Sequence, residues 1–341
     1  MTRCTCEPSR PGGNASGRLG GGQGASLVDN LIFSLNAMMP LFFLMVVGML
    51  LRRMGVVSEP VANGMNKYVF TIGIPVLLFN DLATSDLSDM WDPGFIGFCF
   101  VATLAGIALA YVVSLLYRKT SYQGEFVQAA YRSSASLLAI GVMQNIYGTS
   151  GVASLMVIGA VPLYNVMAVV ILVAMRPNRS GQASGTLAST VRGVVTNPII
   201  IGIVVGLVWA ALRIPMPTMV AKTVGSIAGT ATPVGFIAMG VLFDARKAFA
   251  VRGPAILATL MKLVLLVALT LPLAVMVGYR EQALVAVLVM MGSATTLSSF
   301  VMARNMGHDG TLTSSVVMLS TLLSAFTLTG WLWLLKTVAL I

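Results

Sequence analysis

Long apolar runs without a single charged residue recur along this chain. They cover Asn30 to Leu51, Pro93 to Tyr117, Gly193 to Leu212, Gln282 to Ala303 and Gly310 to Leu335. A helix needs about 20 apolar residues to cross the hydrocarbon core of a bilayer, and each of these runs is long enough. Because 57% of the 341 residues are hydrophobic and only 9% are charged, a water-soluble fold is excluded.

This pattern predicts an all-α polytopic membrane protein with ten spans. Further apolar stretches contain one isolated charge or join two crossings, so the number of spans exceeds the number of charge-free runs. The spans are placed near residues 31–51, 65–83, 94–117, 127–147, 152–175, 195–212, 219–243, 253–278, 282–303 and 311–335. Asn197 directly precedes Pro198, which predicts an N-cap at the start of the sixth span.

The formal net charge of +10 reflects topology rather than nucleic-acid binding, because the basic residues are scattered over short loops. The positive-inside rule assigns loops rich in Lys and Arg to the cytoplasm. If the first loop is cytoplasmic, the inner side holds Arg52, Arg53, Lys67, Arg118, Lys119, Arg176, Arg179, Arg192, Arg246, Lys247, Arg252 and Arg304. An even number of spans then puts both termini outside the cell inner membrane.

An internal repeat divides the chain into two halves. Pro40, Gly48 and Pro75 recur 158 residues later as Pro198, Gly206 and Pro233, and Ser134, Ala135, Val142 and Gly148 recur at an offset of 159 as Ser293, Ala294, Val301 and Gly307. We predict a disordered tail 1–28, a first five-helix repeat 29–177, a cytoplasmic loop 178–194 and a second repeat 195–341. Since five is odd, the second copy enters the membrane inverted, as in many secondary transporters.

Polar clusters in the fourth and ninth spans are the candidate substrate site. In inverted-repeat carriers the site lies near mid-bilayer, where interrupted helices face a cavity. The candidates are Arg132, Ser133, Ser134, Ser136, Gly141 and Gln144 in span four, Ser293, Thr295, Thr296 and Ser298 in span nine, and Asn80 near the end of span two. Close helix packing is the alternative interpretation, because small and hydroxyl residues are enriched there too.

The charge inventory favours an anionic substrate. None of the eleven acidic residues falls at the middle of a span, and Asp81 is assigned to the loop after span two. Arg132 either steers the anion or snorkels to the interface, Lys262 is interpreted as a snorkelling or packing residue, and His308 as a solvated loop residue. The three cysteines show no ligand spacing beyond a lone C-x-C, so neither a metal nor a cofactor is expected.

Four segments resemble the auxin efflux carrier family, in particular its bacterial malate or malonate permeases. They are VGMLLRRMGVVSEPVANGMNKYVFTIGIPVLLFNDLA, NPIIIGIVVGLVWAALRIPMP, TPVGFIAMGVLFD and ARNMGHDGTLTSSVVMLSTLLSAFTLTGWLWLL. Where the family usually has Asn and Gly-x-Pro in span four, this chain has Ser134, Ala139 and Gly141. Where span nine of the family often has Pro and Asn, it has Ala294 and Ser298.

The resemblance implies an architecture and a mechanism. It implies ten helices in two inverted five-helix repeats, with broken, crossed helices 4 and 9. It also implies a scaffold of helices 1, 2, 6 and 7, a moving domain of helices 3–5 and 8–10, elevator-type movement and, in many members, a homodimer.

The leading hypothesis is therefore a permease for a small organic anion, held by Ser134, Ser136 and Ser298 together with backbone N–H groups. One alternative is a sodium- or proton-coupled symporter of another metabolite, and another is a membrane sensor that does not transport. An enzyme is not expected, because HExxH, GxSxG and paired midspan carboxylates are missing and the chain has one His.

Overall fold

The computed structural model describes residues 22–84, 92–147, 151–177 and 187–341. Within these ranges the chain is helical with short connections, and they contain no strand. Residues 1–21, most of the predicted tail, and residues 178–186 of the predicted cytoplasmic loop lie outside them.

The helices are numbered in chain order. The first half contains α1 Gly22–Arg53, α2 Glu59–Tyr68, α3 Ile74–Ala83, α4 Pro93–Ser114, α5 Gln123–Tyr131, α6 Ala135–Tyr147 and α7 Gly151–Ala174. The second half contains α8 Leu187–Val195, α9 Pro198–Ala211, α10 Thr218–Leu242, α11 Ala245–Ala250, α12 Arg252–Leu260, α13 Leu266–Val277, α14 Glu281–Gly292, α15 Leu297–Asn305 and α16 Thr311–Thr337. A wide π turn, Val69–Gly73, joins α2 to α3, and another, Met261–Leu265, joins α12 to α13.

The part of the chain that the structure describes has seven helical segments long and apolar enough to cross a membrane. They are Ser34–Arg53, Pro93–Tyr117, Val152–Ala174, Thr218–Leu242, Arg252–Val277, Glu281–Asn305 and Thr311–Thr337. A polytopic all-helical protein is thus confirmed. The predicted spans 65–83, 127–147 and 195–212 are not among the seven: α9 has only 14 residues, and the fourth is interrupted after Tyr131. The number ten therefore stays a prediction.

Side chains cap the helices that start with proline. The Asp92 carboxylate accepts hydrogen bonds from the N–H groups of Gly94 and Phe95 at 2.9 and 3.1 Å, at the start of α4. The Asn197 side chain accepts from the N–H of Ile199 at 2.9 Å, at the start of α9. Both satisfy backbone donors that the first helical turn leaves free. The predicted cap at Asn197 is confirmed.

Helices α1 and α10 cross at a contact between glycines. A Cβ atom on Gly48 would lie 2.2 Å from the carbonyl oxygen of Ile237, and one on Gly240 would lie 2.1 Å from that of Met45. No side chain fits at such distances, so the two backbones touch directly. Glycine is the residue that permits this approach, as at other crossings of membrane helices.

A second crossing, between α3 and α9, reproduces this contact at the repeat offset. A Cβ atom on Gly206 would lie 3.2 Å from the carbonyl oxygen of Phe79. Gly206 and Gly48 are 158 residues apart, and so are Ile237 and Phe79. Each crossing joins the first half of the chain to the second, and the two glycines are the pair that the sequence repeat makes equivalent.

A buried carboxylate holds the start of α16. Glu125, in the first turn of α5, is 1% exposed. Its oxygens accept hydrogen bonds from the N–H groups of Gly310 and Thr313 at 2.9 and 3.1 Å, and from the Thr313 hydroxyl at 3.0 Å. Negative charge is favourable at a helix N-terminus, where backbone N–H groups lack partners. Glu125 therefore ties α5 to α16.

His308, between α15 and α16, is buried rather than solvated as expected from the sequence. Its Nε2 lies 2.9 Å from the carbonyl oxygen of Leu172 in α7. Because a carbonyl only accepts, Nε2 carries the proton, while Nδ1 is buried without a partner. Burial lowers the pKa of His308, and the charge of Arg176 lowers it further, against the hydrogen bond to Leu172. The folded protein therefore favours the neutral form of this imidazole over the charged form.

The Gly48–Gly240 crossing predicts a steric effect on stability. Gly240→Ala should destabilise the protein by about 1–3 kcal/mol, because the added methyl group overlaps the Met45 carbonyl. Gly225→Ala on the same helix is the matched control, since nothing lies within 4 Å of a Cβ there. Thermal unfolding in detergent should show a lower Tm for Gly240→Ala only. Equal Tm values for the two variants would contradict the tight crossing.

Burial of His308 predicts a loss of stability in acid. Its folded-state pKa lies below the unfolded value of about 6.5, so the unfolded chain binds the proton more readily. The contribution is complete above that value and declines as the pH falls from about 6.5 towards the folded pKa. The Tm of the wild type should therefore fall more steeply over this interval than that of His308→Gln. Parallel profiles would mean that folding does not lower the pKa of His308.

Candidate functional site

Two helical interruptions meet inside the bundle. After α5 the chain is non-helical from Arg132 to Ser134, and after α14 it is non-helical from Ser293 to Thr296. The N–H of Ser134 donates to the carbonyl oxygen of Ala294 at 2.9 Å, so the two interruptions are hydrogen-bonded to each other. These are the interruptions predicted in the fourth and ninth spans.

Thr295 fastens the second interruption to the surrounding helices. Its hydroxyl donates to the carbonyl oxygen of Ala129 in α5 at 2.8 Å, and its N–H donates to the Ser320 hydroxyl of α16 at 3.0 Å. Backbone groups at this depth have no water to replace lost helical hydrogen bonds, so they require such partners.

A cavity of about 80 Å³ opens beside the interruptions. A single water needs only about 10–15 Å³ by the same kind of measure, so a small organic molecule fits. Its polar lining comprises Asp81, Arg132, Ser133, Ser134, Tyr164, Asn165, Thr232, Thr295, Thr296, Ser298 and Thr321. Apolar residues of α1, α3, α7, α10 and the α15 start complete the wall.

Arg132 is the basic residue of this cavity. It is 2% exposed and does not reach an interface, so the snorkelling interpretation is wrong. Its Nη2 donates to the Asn165 side-chain oxygen at 2.7 Å and to the Ser298 hydroxyl at 2.6 Å, and its Nη1 donates to the Met302 sulfur at 2.8 Å. Its Nε is buried without a partner. These acceptors are neutral, so they orient the guanidinium without cancelling its charge.

The N-terminal ends of two half-helices face the same cavity. Ser133 and Ser134, just before α6, and Thr295 and Thr296, just before α15, all line it. A helix N-terminus carries partial positive charge because its first N–H groups have no intrahelical partner. Two such ends and one guanidinium therefore attract an anion to this part of the wall, whereas the Asp81 carboxylate on the same lining opposes it.

The structure brings together six of the residues predicted from the sequence. Arg132, Ser133, Ser134, Thr295, Thr296 and Ser298 line the cavity. Ser293 is fully buried outside it, and its hydroxyl has no partner. Gly141 and Asn80 are partly exposed and also lie outside the lining. The side chains of Ser136 and Gln144 lie outside the described part of the chain.

Sequence reasoning missed several lining residues. Asp81 was assigned to a loop, but it belongs to the last turns of α3 and lines the cavity. Tyr164 and Asn165 follow Pro162 within α7, and Asn165 accepts the hydrogen bond from Arg132. An asparagine in the middle of an apolar span, three residues after a proline, was a usable signal. Asp81 gave no signal, because it stands close to a predicted span end.

Comparison with known proteins gives the family. No curated protein matches the chain. A family model described as membrane transport protein matches residues 33–332, which includes both interruptions and nearly all described helices. The chain therefore belongs to the membrane transport protein family, the auxin efflux carrier family that its sequence resembles.

Proposed function

We propose that this membrane transporter carries a small organic anion, a mono- or dicarboxylate, by alternating access. The observation that supports this most directly is Arg132, a buried guanidinium on the cavity wall that donates hydrogen bonds to neutral acceptors. A guanidinium binds a carboxylate through two parallel N–H donors, a geometry that ammonium groups lack. Malate and malonate are the dicarboxylates to test first, in line with the permeases that the sequence resembles.

The proposed architecture is ten spans in two inverted repeats. It is supported by the equivalence of the Gly48–Ile237 and Gly206–Phe79 contacts and by the pairing of one interruption from each half. The proposed repeats are 29–177 and 195–341, with both termini outside the inner membrane. A homodimer is also proposed, on the family resemblance alone.

An elevator-type movement is supported by how the helices pack. α1, α2, α3, α9 and α10 pack mainly on one another, whereas α4 to α7 and α12 to α16 form a second group around the interruptions. The two groups meet where α1 packs on α16, where α15 packs on α10 and α2, and where α7 packs on α9. The second group would move as one body, carrying Arg132 and both half-helix N-termini with the anion.

A second candidate is a proton- or sodium-coupled symporter, which Asp81 favours. This carboxylate lines the same cavity as Arg132, and ionisable residues within membrane proteins commonly take part in coupling. Uptake into proteoliposomes with imposed sodium or pH gradients separates the candidates. Flux that follows only the membrane potential supports uniport, whereas gradient-driven flux that Asp81→Asn abolishes supports coupling.

The proposed site predicts specific losses of binding. Ser298→Ala should weaken binding of the recognised dicarboxylate about tenfold or more, because it removes a hydroxyl that orients Arg132 and faces the anion. Arg132→Gln should abolish binding, and Arg132→Lys should restore only part of it, since an ammonium binds as a point charge. Ligand-induced thermal shifts of purified protein with malate, malonate and acetate measure this.

Ser226→Ala is the matched control for Ser298→Ala. Ser226 lies on α10 with an exposed hydroxyl that bonds only its own helix, to the carbonyl oxygen of Lys222. This variant should bind like the wild type. If Ser298→Ala and Arg132→Gln also kept wild-type thermal shifts, the anion would bind elsewhere.

A further inference from the structure

Lys262 is buried at the crossing of the two interrupted helices. It lies in the π turn Met261–Leu265 and is fully buried, so it neither snorkels nor merely fills space as expected from the sequence. Its Nζ donates to the carbonyl oxygens of Tyr131 and Met291, at 3.2 and 2.6 Å, and to the Ser133 hydroxyl. An ammonium has three N–H donors, and each has an acceptor here.

The two carbonyls belong to the C-terminal ends of half-helices. Tyr131 is the last residue of α5, and Met291 is the last but one of α14. Carbonyls in the last turn lack intrahelical partners and carry the negative end of the helix dipole. Two negative helix ends therefore converge on one ammonium, whereas the N-terminal ends of α6 and α15 face the cavity.

Ser133 is held so that its oxygen accepts from the lysine. Its hydroxyl hydrogen is directed to the carbonyl oxygen of Met290, which also accepts from the Tyr164 hydroxyl at 3.1 Å. With its hydrogen committed there, the Ser133 oxygen presents only lone pairs to Lys262. The lysine thus contacts three neutral oxygen atoms in fixed positions. Oxygen atoms of this kind are suitable ligands for an alkali metal ion.

We propose that these oxygens form a monovalent cation site, which the Lys262 ammonium occupies permanently in place of Na⁺. Oxygen atoms of interrupted backbone and half-helix C-terminal ends are the groups that hold coupling sodium ions in secondary transporters. A cation attached to the chain supplies the same charge at the same place without exchange. If the protein is the proposed carrier, the tethered lysine makes transport independent of sodium. The cation site itself does not depend on the carrier proposal.

Replacing the lysine with a small residue should open the site to sodium. The test compares wild type, Lys262→Ala and Lys262→Met by thermal unfolding in sodium chloride and in choline chloride, with no carboxylate present. The wild type should have the same Tm in both salts. Lys262→Ala should lose about 5 °C or more in choline and regain part of this in sodium, because its missing side chain leaves room for the ion.

Lys262→Met is the matched variant that keeps the volume without the charge. Its side chain occupies the site but donates nothing to the three oxygens, so it should be destabilised equally in both salts. Adding Ser133→Ala to Lys262→Ala removes one oxygen ligand and should abolish the recovery in sodium. Lys222→Ala, at an exposed position of α10, should behave like the wild type.

Four results would overturn the cation site. They are wild-type stability of Lys262→Met, a Lys262→Ala variant insensitive to sodium, failure of that variant to fold when prepared throughout in sodium chloride, and sodium stabilisation of the wild type. Because no carboxylate enters the experiment, a failure of the anion proposal leaves these results unaffected. Conversely, if a dicarboxylate still gives its thermal shift but one of these four results is found, only the proposed role of Lys262 is rejected.

Discussion

The backbone groups released where two helices stop inside the bundle must find partners, and the rest of the site follows from that requirement. At bilayer depth no water replaces a lost helical hydrogen bond. The two interruptions supply each other through Ser134 and Ala294, and Thr295 ties them to α5 and α16. Because two of these three ties join the first half of the chain to the second, neither interruption is satisfied alone. The crossing is therefore a product of the whole fold.

The crossing also separates charge. Helix N-termini and Arg132 face the cavity, while helix C-termini face Lys262. The two cations are buried alike but differ in their partners: carbonyls and a hydroxyl accept from the lysine ammonium, whereas the Nε of the arginine is buried without a partner. Only the arginine has donor capacity for a ligand. Lys262 thus satisfies backbone carbonyls of the protein itself, whereas Arg132 lies on the wall of the cavity.

Local patterns in the sequence were enough to find the long apolar helices and both interruptions, but not the long-range contacts. They also missed α8, which overlaps the predicted loop 178–194, and the start of α1 within the predicted tail. Hydroxyl clusters around Ser134 and Thr295 marked the weak points of two apolar runs, and Asn197 before Pro198 marked a cap. The role of Glu125 depends on the N-terminus of α16, 185 residues away, and no local pattern encodes that distance. Lys262 was misread for the same reason: from sequence, a lysine in an apolar span reads as snorkelling.

The proposed duplication explains the equivalent helix crossings but not the positions of the two buried cations. At the repeat offset of 159, Lys262 corresponds to Thr103 and Arg132 to Met291. Each cation therefore has a neutral counterpart, although the α1–α10 and α3–α9 crossings are equivalent at the repeat offset of 158. A fully symmetric pair of repeats would place identical side chains at the two equivalent positions, so the helix ends alone would set the local charge. Arg132 and Lys262 remove that equivalence: Arg132 adds positive charge on the side of the helix N-termini, and Lys262 adds it on the side of the helix C-termini.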